Sequence, residues 1–204
     1  GFKILNIIKF IKRAKMQNAL ILAGGKSSRM GFDKSLLKYD NFATITHFLY
    51  YKLSKLFACV QVSAKEQKFT PPLPLLKDDF KDFAPIFVLA NLDKFFTSSI
   101  FIIPADQPFI NESTILALFE GSKSAQICIG SNKDQTHPLC GFFNPNIAKI
   151  AKEQIKNQNY AIKELLKACD TKIISFDECE QFINLNTTAD ISKANNALNM
   201  RLKY

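Results

Sequence analysis

Short, nearly uninterrupted apolar runs alternate along this chain with longer stretches whose apolar residues recur every three or four positions. The runs at 18–23 (NALILA), 99–103 (SIFII) and 126–130 (QICIG) lack the alternation of a strand wetted on one face. Such runs suit strands covered on both faces, the usual state of parallel strands joined by helical crossovers. Between them, Ile45, Phe48, Leu49, Leu53 and Leu56 recur at helical spacing within 43–57. Residues 84–95 read as helical, and 111–120 as a helix capped by Asn111. Val60 and Val62 mark a second strand, closed by a turn at Pro71, Pro72 and Pro74. Further on, 139–143 is strand-like, 147–155 and 161–168 are helical, and 172–176 is extended. Residues 182–185 read as a short apolar strand and 189–202 as a closing helix. The pattern predicts an α/β fold: a single domain with a mostly parallel sheet and helices on both faces.

Composition narrows the function. The 204 residues suit one domain, and 47% hydrophobic against 22% charged residues excludes a disordered chain. No apolar run approaches the ~18–20 residues of a membrane-spanning helix, so no membrane partner is expected. The balance of 27 Lys and Arg against 18 Asp and Glu, net +9, reads first as solvated surface lysine and second as a general attraction for phosphorylated substrates. Those basic residues are dispersed, without the Arg-rich or aromatic-interleaved runs of a nucleic-acid binder. The five cysteines include no CxxC pair and form an odd set, which argues against a disulfide framework or zinc and for the cytoplasm. Residues 1–15 form a basic, partly apolar segment interrupted by Lys9, with no small-residue cleavage site behind it. They read as a segment upstream of the domain or as an amphipathic helix, and 16–204 as the domain.

The first strand runs into Leu22-Ala-Gly-Gly-Lys-Ser-Ser-Arg-Met-Gly-Phe-Asp-Lys34. Gly24 and Gly25 at a strand's carboxyl end let backbone N–H groups approach an anion, and Lys26, Arg29 and Lys34 add positive charge nearby. A Walker loop is excluded, because Leu20 stands where its first glycine belongs, and GxGxxG is absent. Asp106 ends the run Ile102-Ile-Pro-Ala-Asp, which places it in the crevice outside the strands' carboxyl ends, where ligands bind. A hard carboxylate oxygen there suits Mg²⁺, whose remaining positions water and phosphate oxygens fill.

The segment LAGGKSSRMGFDK is similar to the signature LAGGxSxRMGxDK of nucleotidyltransferases, and in particular of the molybdenum cofactor guanylyltransferase (MobA) family. Leu76-Lys-Asp-Asp, Pro104-Ala-Asp-Gln-Pro-Phe-Ile and Phe182-Ile-Asn-Leu-Asn-Thr follow in that family's order, so the likeness runs from Met16 to about Leu198. The resemblance implies a Rossmann-like nucleotidyltransferase fold. The implied reaction carries GMP from GTP to the molybdopterin-bound molybdenum cofactor and releases pyrophosphate. Arg29, Lys34 and Asp106 would be catalytic, with Asp106 holding Mg²⁺. Leu22, Ala23, Gly24, Gly25, Lys34, Ser63, Asp78 and Asp106 would contact the nucleotide. Backbone N–H groups from Ala23 to Lys26 would hold the triphosphate, and Asp78 would read guanine. Asn184, Asn186 and Lys163 would face the pterin. Cofactor-delivering and cofactor-accepting proteins would be its partners.

Three departures from the family pattern bear on the base and the second substrate. Ala84-Pro-Ile-Phe-Val replaces a Gly-Pro-Leu-small-Gly segment and sets Phe87 near the base pocket. Ser63 stands for an asparagine. The stretch around Asn159 and Tyr160 lacks an arginine, whose charge Lys163 would supply. They leave two alternatives: a cytidylyltransferase on the same cofactor, or a nucleotide-binding protein without turnover.

Overall fold

Leu20 and Ile21 are adjacent, point to opposite sides of their strand, and are both fully buried. A computed structural model, describing residues 15–24, 33–77, 84–133, 135–187, 189–190 and 192, shows what covers each side. The strands are β1 (Met16–Leu22), β2 (Phe57–Ala64), β3 (Leu75–Lys77), β4 (Ile100–Pro104), β5 (Ile127–Asn132), β6 (Gln135–Phe143) and β7 (Thr171–Ser175). They form one sheet in the order β3-β2-β1-β4-β6-β5-β7. β6 runs antiparallel to both its neighbours, and every other pairing is parallel.

On one face, Ile21, Phe101 and Ile103 pack with Leu49 and Leu53 of α1 (Ile45–Ser54) and with Ile115 and Leu118 of α4 (Glu112–Ser122). On the other, Leu20 and Ile102 meet α2 (Pro85–Leu89), α3 (Leu92–Phe95), α5 (Ala148–Lys156) and α6 (Ile162–Ala168). Each buried Leu, Ile or Phe contributes about 1.5–3 kcal/mol. Phenylalanine fills the wide part of the first layer: Phe57 stacks on Phe101 at 5.6 Å, and Phe142 lies 5.2 Å from Phe101. At Gly141 a Cβ would collide with the Cys128 carbonyl oxygen, so only glycine lets β6 pass β5 there. Burial pushes the Cys140 thiol up to about 12, which leaves it a packing group.

Several sequence expectations need correction. Residues 84–95 form two helices, divided at a turn where Asn91 donates from Nδ2 to the Phe87 carbonyl. β3 went unread because three residues after a proline turn carry too little periodicity. Asn111 occupies the N-cap of α4, but its side chain makes no capping bond and donates to Glu178 instead. Residues 182–185 are not a strand. A 3-10 turn, Cys179–Phe182, leads into irregular chain whose apolar side chains enter two separate cores. An apolar run records burial; a strand also needs a neighbour for its backbone, and the Leu185 N–H donates to the Asp106 carbonyl instead. Residues 1–14 and most of the expected closing helix lie outside the described residues.

Candidate active site

From β1 the chain moves outward to β2 and β3, then crosses back to β4 on the other side of β1. The carboxyl ends of β1 and β4 therefore part at a topological switch point, where a crevice opens. It holds a cavity of about 260 Å³. Leu22, Ala23 and Gly24 line it from β1, Pro104, Ala105 and Asp106 from β4, and Asp33, Lys34 and Ser35 from the next turn. Pro85 and Leu139 complete the wall.

The strand ends are tied by their backbones. Ala105 N donates to Leu22 O at 2.9 Å, and Ala23 N donates to Ser63 O at 3.0 Å. The second bond corrects an expectation, because the one N–H of Ala23 is spent on the sheet and is not left for a phosphate. Ser63 is 2% exposed and does not line the cavity; its carbonyl sets the direction in which the loop leaves β1.

Asp33 caps the 3-10 turn Lys34–Leu36, accepting from Ser35 N at 3.0 Å and Ser35 Oγ at 2.6 Å. Thr46 Oγ1 donates to Ser35 O at 2.7 Å and fastens the turn to α1. Lys34 is thereby aimed into the crevice, where its Nζ donates to Asn186 Oδ1 at 2.5 Å. Asp106 is half-buried, and its carbonyl accepts from Leu185 N at 2.8 Å. Burial pushes the Asp106 carboxyl above its ordinary value, while the Lys34 ammonium pulls the other way. Among the described residues the Asp106 carboxylate has no hydrogen-bonded side-chain partner. No cluster of three metal-ligating side chains occurs among them either, and of the two carboxylates that line the crevice, Asp33 and Asp106, only Asp33 is paired with a cation.

Asn184 and Asn186 flank the fully buried Leu185, Asn184 exposed and Asn186 half-buried. Asn186 does not cap the next helix. Thr187 does, exchanging bonds with Asp190, whose carboxylate also accepts from Asn186 N at 2.9 Å. The Asn186 amide is thus left for Lys34.

The structure gathers Leu22, Ala23, Gly24, Lys34, Asp106 and Asn186 around one crevice. It does not bring Lys163 there. That residue is exposed on α6 and borders a separate groove of about 530 Å³ beside Pro138 and Ile173. Phe87 packs on Tyr160 at 5.5 Å rather than against the cavity, which Pro85 reaches instead. Gly25, Lys26, Arg29 and Asp78 lie outside the described residues.

Two supports escaped the sequence reading. Lys68 Nζ donates to Ala23 O at 2.7 Å and to Asp33 Oδ2 at 2.5 Å. Burial works to raise the Asp33 carboxyl, but the bonds from Lys68 and Ser35 and the Lys68 charge prevail and hold it below its ordinary value. His137 carries no free nitrogen: Gln107 donates from Nε2 to Nδ1 at 3.2 Å, and Nε2 donates to Asn132 Oδ1. Its ring stacks on Phe182 at 4.3 Å, and burial pushes its pKa below the usual value, so it is neutral at pH 7. It props Gln107, the residue after Asp106. His47 is similarly engaged, with Thr44 Oγ1 at Nδ1 and the Pro71 carbonyl at Nε2. Nothing in the local sequence distinguishes Lys68 from a surface lysine.

Comparison with known proteins agrees with this geometry. The family described as the MobA-like NTP transferase domain matches residues 19–173. A Campylobacter jejuni protein named molybdenum cofactor guanylyltransferase is 35% identical over 180 residues, covering 86% of this chain and 94% of its own. A Helicobacter pylori protein of the same name is 31% identical over 188 residues, covering 89% and 93%. The crystal structure of molybdopterin-guanine dinucleotide biosynthesis protein A from Archaeoglobus fulgidus superposes with a TM-score of 0.71 at 18% identity, covering 91% of this chain and 100% of that one. That likeness carries the fold. With a family model spanning most of its sheet and a relative 35% identical over most of both chains, this chain belongs to the MobA-like NTP transferases and is a nucleotidyltransferase.

Proposed function

We propose that the protein transfers GMP from GTP to the molybdenum cofactor on molybdopterin, forming the guanine dinucleotide and releasing pyrophosphate. The observation that carries the reading is the meeting of Lys34 and Asp106 in one crevice beside the glycine-bearing end of β1. The named relatives supply the substrate class.

No protein nucleophile is required. A phosphate oxygen of the pterin substrate attacks the α-phosphorus of GTP, and the bond to the β-phosphate oxygen breaks as pyrophosphate departs. The protein aligns two anions and answers the charge that grows on the leaving oxygens. Lys34, held by Asn186, brings a fixed ammonium to the phosphates. Arg29 and the amides beyond Ala23 would join it. Asn184 and Asn186 would meet the pterin, whose mixed donor and acceptor edge suits amides. Asp78 would read the base. Lys163 borders another groove and would touch neither substrate.

The donor chemistry fits Mg²⁺. Asp33 already has a cation, whereas Asp106 carries a carboxylate whose charge burial disfavours and a metal would restore. Asp106 would hold the ion, which when bound neutralises phosphate charge. Compartment follows from chemistry: free thiols throughout the described residues and nucleoside triphosphate substrates suit the cytoplasm. No helix among the described residues is long and apolar enough to cross a membrane.

The test is turnover with molybdopterin-bound cofactor, Mg²⁺ and each nucleoside triphosphate in turn, followed by pyrophosphate release. GTP is expected to exceed CTP and ATP at least tenfold in kcat/KM. Equal or better turnover with CTP overturns the guanylyl reading.

A further inference from the structure

Two carboxylates, Asp33 and Asp106, line a cavity assigned above to a triphosphate. Either of them left bare would repel that ligand. Asp106 is free for a metal, but Asp33 is not: Ser35 takes its Oδ1, and Lys68 takes its Oδ2. The same ammonium also reaches the Ala23 carbonyl. Ala23 lies where the glycine-rich loop leaves β1, and Asp33 lies where that loop ends. One cation from the β2–β3 connection therefore ties both ends of the loop. Its own backbone is fixed, since Phe69 beside it is 2% exposed and Gln67 Nε2 donates to Leu73 O at 2.8 Å. The pair is partly shielded, with side-chain exposures of 22% for Lys68 and 31% for Asp33, so it is not an ordinary surface ion pair.

We propose that Lys68 is a positioning residue of the triphosphate site: it cancels the Asp33 charge facing the phosphates and sets the distance between Ala23 and Asp33. Through Asp33 it also steadies the turn that presents Lys34. The inference rests on the GTP reading for its ligand.

The experiment is calorimetric titration of Mg²⁺–GTP into the full chain and into Lys68→Met, Asp33→Asn and the double variant, with circular dichroism to confirm folding. Lys68→Met is expected to weaken binding about tenfold, as for other hydrogen bonds to charged groups. The double variant should recover at least threefold, because asparagine still caps the turn but carries no charge. Recovery by removing a carboxylate cannot come from lost packing. Wild-type affinity in Lys68→Met, or a double variant that binds no better than Lys68→Met, overturns the proposal. If the wild type binds no GTP, the function reading falls, and the clasp is judged by amide exchange at Leu36 and Leu37. Exchange there should quicken about tenfold in Lys68→Met. Should that variant not fold, Asp33→Asn breaks the same pair from the other side and should quicken the same amides. Unchanged exchange in the folded variant overturns the clasp.

Discussion

Lys34 and Lys163 stand on opposite sides of β4 in the sheet order and border different cavities. On the β1 side, parallel strands diverge at a switch point, and the turn after the glycine-rich loop drives Lys34 into the opening between them. Beyond β4, the antiparallel β6 interrupts the parallel order, and α6 lays Lys163 along a groove by the edge strand β7. Both are lysines that a family likeness would assign to phosphate or pterin. In the proposed reaction, the cation that serves as a ligand group is the one whose backbone is tied at a strand's carboxyl end. Solvent-facing placement on a short helix leaves the other a general contributor to net charge.

Replacing Asp106 is the most forceful way to break this contrast. Asp106→Ala should reduce guanylyl transfer by about a thousandfold or more with its unfolding temperature preserved, read as pyrophosphate release beside a thermal melt. A tenth of wild-type activity would remove Asp106 from the metal site. Lys34→Ala should cost about a hundredfold in kcat, like other lost charges on a developing anion. A twofold loss would make it no different from Lys163. Asn186→Ala releases Lys34 and should lower kcat/KM about tenfold, the scale of one hydrogen bond to a charged group. An unchanged value would show that Lys34 is held by the turn alone.

A smaller effect concerns pH. The folded His137 has a pKa below the ordinary 6.5 because burial among Gln107, Asn132 and Phe182 disfavours the imidazolium. As pH falls through 6.5, the unfolded chain takes up a proton that the folded chain refuses, so stability declines toward the folded pKa. Above 6.5 that loss is absent. Urea midpoints should therefore drop from pH 7 to pH 5 more in the wild type than in His137→Gln, and parallel curves would refute the assignment. The smallest change should come from Lys163→Ala, with GTP turnover within twofold of wild type. A tenfold loss would join the far groove to the active site and undo the comparison.

Local sequence carries the elements that depend on neighbours along the chain. The apolar runs of β1, β4 and β5, the spacing in α1 and the position of Asp106 after a strand were all legible, because burial and turn chemistry leave marks within a few residues. Residues 182–185 show where that legibility stops. Their apolar character recorded burial correctly, but the apolar pattern could not say whether a strand lay beside them.

By itself the sequence determined a two-sided, mostly parallel sheet, a glycine-rich, basic segment after its first strand and a carboxylate at the end of another. Only the tertiary structure decided the partners: Asn186 for Lys34 across 152 positions, Lys68 for Asp33 across 35, and a different groove for Lys163. The reason is physical. Backbone periodicity is written by short-range sterics and hydrophobic patterning, whereas the meeting of two distant side chains depends on strand order and on how far each neighbouring loop can reach.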